Sequence, residues 1–296
     1  PEGPRSAFGL LGPRSTPAAS SGRSGFLQGL TSSSSRHPPS SIPTVNDREA
    51  RVSVAAYCAL LATVDVGPAT VTTTPEAPGS PMLNRIVGLG VDRPATEEDV
   101  DAALAAVPSG TTFYVAVEPD ARPDALPSWL AARGLEPGWG WMRFRRGVES
   151  PAAASSALRI EPVDSGDLLG AFAFIVRAGY GLPEGAEAAV MRAAGTGWRL
   201  WVALDGEEPA GAGGLYVENG VGYLGLAATL TEHRGKGAQT ALLHHRIRES
   251  AALGCDVVVT ETGERRNGLP SDSYRNLVRA GFAEVAVTAN WLGRRP

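Results

Sequence analysis

From Leu158 onward, apolar and polar positions alternate in a way that predicts most of the secondary structure. Leu158–Val163 has the two-residue period of a strand, and Leu168–Gly179 and Ala186–Ala194 have the helical period. Three alternating segments follow. Trp198–Leu204 ends at Asp205-Gly206, Ala212–Val217 ends at Asn219-Gly220, and Val221–Ala227 runs into a glycine-rich loop. Asp-Gly and Asn-Gly between alternating runs are hairpin signals, so an antiparallel meander is expected. The next helix carries Ala241, Leu242, Leu243, Ile247 and Ala251 on its apolar side, with Arg246, Arg248 and Glu249 among the polar positions. Cys255–Thr260 reads as a buried strand, Ser271–Ala280 as a helix closed by Gly281 at C′, and Phe282–Leu292 as a last strand.

A second patterned region precedes this one. Asn46 or Asp47 can cap a helix that reaches about Ala62. Ala69–Thr74, Leu83–Leu89, Thr111–Val117 and Trp139–Phe144 read as strands. Thr96 with Asp99 makes a capping box for a helix to Val107, and Pro123–Arg133 contains another helix. Trp129–Leu135 (WLAARGL) matches Asn276–Phe282 (NLVRAGF) in pattern: helix end, glycine, apolar residue, closing strand. The chain thus divides into residues 1–44, a folded region 45–147, a linker 148–157 and a folded region 158–296. Residues 1–44 are rich in Ser, Pro, Gly and Arg, contain one acid and lack periodicity. Such a stretch buries too little apolar surface to offset chain entropy, so a dispensable disordered tail is expected; a targeting segment has a similar composition.

The stretch Leu226–Leu243 (LAATLTEHRGKGAQTALL) carries the chemistry. An apolar run turns through Arg-Gly-Lys-Gly directly into a helix. The helix start offers unpaired N–H groups and the positive end of the dipole, while the glycines let the backbone approach a ligand. With Arg234 and Lys236 beside it, this builds a site for phosphate or pyrophosphate. A Walker loop does not fit, because Leu230 and Gly237 stand where Gly and Ser/Thr are needed. A dinucleotide GxGxxG fails at Thr240.

The loop resembles the pyrophosphate loop of the GNAT acyltransferase superfamily, [Q/R]-x-x-G-x-[G/A], with Arg234 and Gly237 in place and Gln239 where a small residue is usual. The element order and the Ala280-Gly281-Phe282 ending are similar as well. The resemblance covers about Leu158–Leu292. It implies a mixed-sheet α/β GNAT fold in the C-terminal domain, and residues 45–147 look like a degenerate lobe of the same kind, as in tandem proteins of the superfamily. It implies acetyl-CoA or another acyl-CoA as donor. Ala227, Ala228 and Thr229 would line the pantetheine arm, and Arg234, Gly235, Lys236, Gly237, Ala238 and Gln239 would hold the pyrophosphate. In the N-terminal lobe the phosphate loop is absent, and Glu97, Glu98 and Asp99 crowd a helix start, where they repel phosphate.

Acyl transfer to an amine needs a proton acceptor for the amine and a donor for the departing thiolate. The usual Tyr of the superfamily, four residues before the last-helix glycine, is replaced by Leu277. Tyr274, one turn earlier, is the substitute acid, or else it packs with its hydroxyl satisfied. Ser273 matches a polar position near the cofactor. Glu261, at the end of Cys255–Thr260, is the candidate base, with Glu218 and Glu264 as competitors. His244 and His245 diverge by about 100° on a helix and cannot share a metal, and no metal spacing occurs.

Composition changes this picture little. The chain has 296 residues, 43% hydrophobic content and a net charge of −4, which suits a two-domain globular protein and argues against a nucleic-acid binder. Cys58 and Cys255, far apart, suggest reduced thiols in a cytoplasm. The longest apolar stretch, Val52–Val64, is short of the roughly 20 residues a membrane span needs. Lys236 is the only lysine, which points to a GC-rich bacterial genome. The expected activity is N-acetyl transfer from acetyl-CoA to a primary amine of a small molecule, with a protein N-terminus or lysine as another acceptor. The alternative is a catalytically silent acyl-CoA-binding regulatory module, and a nucleotide-binding protein is a more distant third.

Overall fold

The computed structural model describes residues 47–151, 157–265, 269 and 271–296. The expected tail, the Asn46 cap and part of the linker lie outside the described residues. The elements run α1 (Asp47–Cys58), β1 (Ala62–Val66), β2 (Ala69–Thr73), β3 (Arg85–Val87), α2 (Glu97–Ala106), β4 (Thr112–Val117), α3 (Leu126–Ala132), β5 (Glu136–Pro137) and β6 (Trp141–Gly147). Beyond the linker come β7 (Arg159–Pro162), α4 (Gly166–Tyr180), α5 (Glu187–Met191), β8 (Arg199–Asp205), β9 (Glu208–Glu218) and β10 (Val221–Thr229). The chain ends with α6 (Ala238–Ala252), β11 (Val257–Gly263), α7 (Asp272–Arg279) and β12 (Ala283–Arg294).

Local chemistry explains most of these boundaries. The β9–β10 hairpin turns on Asn219 and Gly220, with φ of 49° and 75°, and Glu218 pairs directly with Val221. Two central residues at positive φ match the right-handed twist of the flanking strands. Thr96 and Asp99 form the expected capping box on α2. The matching helix ends are equivalent in detail. Leu135 N–H reaches Leu130 O and Phe282 N–H reaches Leu277 O, both at 3.1 Å, around Gly134 and Gly281 at φ 79° and 83°. This Schellman closure turns each helix into the strand that follows.

The short strand β5 is not among the expected elements, and the first helix differs from expectation. The first helix ends at Cys58, and Ala62–Val66 is a strand, joined to β2 by the two-residue turn Gly67-Pro68. Ala62–Val66 is mostly exposed at the sheet edge, so it carries no apolar alternation to set it apart from the helical pattern before it.

The strands form one twelve-stranded mixed sheet in the order β1-β2-β3-β4-β12-β6-β11-β10-β9-β8-β7, with β5 also on β12. Among the described residues only β3–β4 and β10–β11 run parallel. The centre is a reciprocal exchange. Strand β6, from the N-terminal half, lies between β11 and β12. Strand β12, from the C-terminal half, lies between β6 and β4. Each half therefore donates its last strand to the other, and the sheet is continuous across the two.

Helices α1, α4 and α5 pack on one face. Val52 and Ala56 of α1 join Phe172, Ile175, Val176, Val202 and Val257 in the same core. Helices α6 and α7 cover the other face around Phe144, Leu215, Leu242, Ile247 and Phe282. Phe144 is fully buried on β6 at the junction and meets the Tyr274 ring edge-on at 5.2 Å. Phe144→Ala should cost about 3–5 kcal/mol by leaving a cavity there, measured by denaturant unfolding. A loss under 1 kcal/mol would mean that the junction collapses freely.

Candidate active site

The site forms where two strands part. Strands β10 and β11 pair in parallel from Val221↔Val257 to Leu224↔Thr260. The Thr260 hydroxyl donates to Leu224 O at 2.7 Å as a last cross-tie. Beyond it β10 follows β9, whereas β11 follows β6 through Glu261–Gly263. A V-shaped opening results.

On the β10 side of the opening lies a β-bulge between Gly225 and Ala228, with Leu226 at φ 50°. A bulge leaves ladder groups unpaired, and several here find side-chain partners. Ala227 N–H donates to the Tyr180 hydroxyl at 3.0 Å. The Arg246 guanidinium donates to Gly214 O at 3.1 Å and Gly225 O at 3.3 Å. Gln239 Nε2 donates to Ala228 O at 2.6 Å and to the Thr229 hydroxyl at 3.0 Å. The residue that departs from the loop pattern thus ties the helix start to the bulge. Ala228 and Thr229 also pair with Ala212 and Gly211 of β9.

The loop after β10 passes through a 3₁₀ turn, Thr231–His233, before Gly235 and Gly237 at φ 79° and 87°. Gly237 is the N-cap of α6, and the Ala241 N–H bonds back to Gly237 O at 2.9 Å. The amides of the turn before Ala241 are the orphan donors of a helix start. Arg234, Gly235 and Lys236 are exposed around them. The Lys236 ammonium lies on Asp205, the residue of the β8–β9 turn. His233 Nδ1 stands 3.1 Å from the same carboxylate oxygen. The hydrogen bond from Lys236, then that from His233, holds the Asp205 carboxyl below the usual carboxylate range.

Glu261 lies across the opening. Its Oε1 is 3.0 Å from Arg143 Nε, and Arg143 also pairs with Glu118 at 2.8 Å. Glu118 accepts from the Thr288 hydroxyl at 3.2 Å, and its burial pushes its pKa up. Glu261, Arg143, Ser53, Thr260 and Tyr223 line a small cavity. The rings of Tyr57 and Tyr223 meet there at 6.4 Å, and the Arg85 guanidinium lies 4.9 Å over Tyr57. A buried polar seam therefore joins the two halves beside the opening, covered by α1. Glu218, at the far end of the β9–β10 hairpin, is remote from it. Glu264 caps the Gly140 N–H at 2.9 Å.

Tyr274 sits elsewhere. Its hydroxyl bonds to Glu284 of β12, three strands from β10 in the sheet order, with Arg265 5.0 Å over its ring. The hydrogen bond to Glu284 and burial raise its pKa. Its backbone N–H is capped by Ser271, and Ser273 is exposed. Leu277 fills the core beside Phe282.

The structure thus brings Ala227–Thr229, the loop and Glu261 around one opening, and ties Tyr274 to Glu284. It adds Tyr180, Arg143 and Arg246, none of them expected there. Arg246 is a correction: it is 1% exposed, not one of the polar positions of its helix. The buried face of α6 instead runs through Leu242, Leu243, Arg246, Ile247 and Ser250, and Ala251 is exposed. A signal was present in Gly211-Ala-Gly-Gly214 of β9: a Cβ at Gly213 would sit 2.9 Å from the Arg246 guanidinium carbon. His233 is buried and bonded to Asp205.

Comparison with known proteins bears on the C-terminal region and on the fold. Residues 177–269 match the acetyltransferase (GNAT) family, a span that runs from the last turn of α4 through α5, the meander, the loop, α6 and β11. A GCN5-related N-acetyltransferase from Kribbella flavida is similar in structure at a TM-score of 0.60 and 16% identity, over 86% of this chain and 97% of that one. A second, from Sphaerobacter thermophilus, has a TM-score of 0.52 and 18% identity over 68% of this chain and 66% of that one. A tandem GNAT protein from the clavulanic acid biosynthesis pathway has a TM-score of 0.51 and 15% identity, over 77% of this chain and 78% of that one. No curated protein sequence matches the chain significantly. The match to the acetyltransferase (GNAT) family thus lies at residues 177–269, within a mixed-sheet α/β fold that these solved structures share.

Proposed function

We propose that this protein is an N-acyltransferase that moves an acetyl group from acetyl-CoA to the primary amine of a small molecule. The observation that carries the reading is the opening between β10 and β11, with a bulge amide on one side and a glycine loop at a helix start beyond it. In this reading the Arg234–Gln239 loop holds the pyrophosphate, and the Ala227–Thr229 segment lies along the pantetheine arm. The Ala227 N–H faces the thioester carbonyl, where the Tyr180 hydroxyl oxygen stands in the free protein. Ser273, at the start of α7, borders the cofactor.

The amine nitrogen attacks the carbonyl carbon and forms a tetrahedral oxyanion. The C–S bond then breaks and the electron pair leaves on sulfur. One amine proton passes to Glu261 or a water beside it, and the thiolate takes up a proton. Tyr180 suits that last role better than Tyr274, because its hydroxyl already meets the bulge and Tyr274 is committed to Glu284. Burial pushes the Tyr180 phenol up to about 12, so it keeps a proton to give at neutral pH.

The polar seam beside the opening is the proposed acceptor side, which assigns the N-terminal lobe a substrate-shaping role. That lobe has acidic Glu97, Glu98 and Asp99 at the start of α2 and is not expected to take a second acyl-CoA. Among the described residues no helix is long and apolar enough to cross a membrane, and no cluster of His, Cys, Asp or Glu could hold a metal. A cytoplasmic bacterial enzyme working without a metal is the setting we propose.

The test is an amine panel with acetyl-CoA, followed by thiol release, together with calorimetry. The expected results are CoA release that depends on at least one small amine and one acetyl-CoA bound per chain. Acetyl-CoA binding without turnover on any amine would replace the enzyme with an acyl-CoA sensor. Two sites per chain would contradict the assignment of the N-terminal lobe.

A further inference from the structure

Arg246 is 1% exposed and has no carboxylate at ion-pair distance among the described residues. Its partners are three backbone carbonyls: Leu242 O at 3.1 Å, Gly214 O at 3.1 Å and Gly225 O at 3.3 Å. Burial lowers its pKa to about 10, so it remains charged at neutral pH. A buried charge without a counter-ion is costly, and two stranded carbonyls could be satisfied by a neutral amide. Sequence has also been given up to admit it, since Gly213 has no room for a Cβ beside the guanidinium.

The position of this charge is informative. Arg246 reaches the bulge from the α6 face of the sheet. Tyr180 meets the same bulge from α4, on the opposite face, through the Ala227 N–H. The two groups are close enough for each to shift the other's ionisation. An N–H aimed at an oxygen, with an unneutralised cation behind it in a dry interior, is the arrangement that stabilises developing negative charge.

Building on the acyl-transfer reading, we infer that Arg246 is a positioning residue for the reaction. Its guanidinium fixes the bulge that presents the Ala227 N–H, and its uncompensated charge stabilises the anion formed against that amide, first on the carbonyl oxygen and then on the departing sulfur.

Two substitutions separate charge from hydrogen bonding. Arg246→Gln keeps an N–H donor for the bulge carbonyls and removes the charge, whereas Arg246→Lys keeps the charge. In the full chain, with acetyl-CoA and the best amine of the panel, Arg246→Gln should lower kcat about a hundredfold while KM for acetyl-CoA changes less than threefold. Arg246→Lys should recover most of kcat. Ultraviolet absorbance of the thiolate should show that the thiol of bound CoA ionises at higher pH in Arg246→Gln than in wild type. Gly213→Ala, which displaces the guanidinium without removing it, should also lower kcat and serves if the glutamine variant does not fold. A wild-type kcat in Arg246→Gln, or equal kcat in the Gln and Lys variants, would overturn the inference. Should wild type acylate no amine, the acyl-transfer reading fails separately. The thiol ionisation then decides the charge, and identical ionisation in wild type and Arg246→Gln would refute it.

Discussion

Gly237→Asp should weaken acetyl-CoA binding by about a hundredfold or more and leave the fold nearly as stable as before. Gly237 is the N-cap of α6 at φ 87°. Aspartate tolerates positive φ better than most residues, so the strain is on the order of 1 kcal/mol. Its side chain, however, would add a Cβ and a negative charge beside the helix-start N–H groups that the pyrophosphate is proposed to use. Losing one charge-assisted hydrogen bond costs about 1.5–3 kcal/mol, and each 1.4 kcal/mol is roughly tenfold in affinity. Repulsion adds to that. Arg234→Ala, which removes one exposed cation, should cost about ten- to a hundredfold, with a shallower salt dependence than wild type. Calorimetry and thermal melting of both variants check this. A Gly237→Asp protein that binds acetyl-CoA as wild type does would place the phosphates elsewhere.

The elements around this loop were legible in the sequence because their signals are local. Asn219-Gly220 fixes a hairpin, Gly281 closes a helix, and the Arg234–Gly237 turn sits between a strand and a helix. The parallel between Trp129–Leu135 and Asn276–Phe282 likewise reports the same helix closure twice. What stayed hidden depends on contacts between distant segments. No local pattern says that β6 inserts between β11 and β12, because a strand bound for a neighbour's sheet reads like one bound for its own. The partners of Glu261 were hidden for the same reason: Arg143 and Glu118 come from the other half of the chain. Arg246 was misplaced by the rule that charged residues face water. The glycines of β9 that make room for it are intelligible only once the helix is laid against the strand.

The proton path should divide the three remaining candidates. Tyr180→Phe removes the hydroxyl that meets the Ala227 N–H and is expected to lower kcat around a hundredfold, within the range of a lost general acid, with little change in acetyl-CoA affinity. Tyr274→Phe should lower kcat only a few-fold, because its hydroxyl is spent on Glu284. Glu261→Gln should slow turnover at neutral pH. It should recover in part as pH rises, because the amine must be neutral to attack and a larger fraction of it is neutral at high pH. Arg143 keeps Glu118 as a partner in that variant, so the seam should survive the substitution and the effect should fall on kcat rather than on stability. The measurements are kcat and KM against pH for each variant, with melting temperatures as the control. A hundredfold loss in Tyr274→Phe with Tyr180→Phe intact would return the acid to α7. Wild-type rates in all three variants would leave acyl transfer to positioning and water alone.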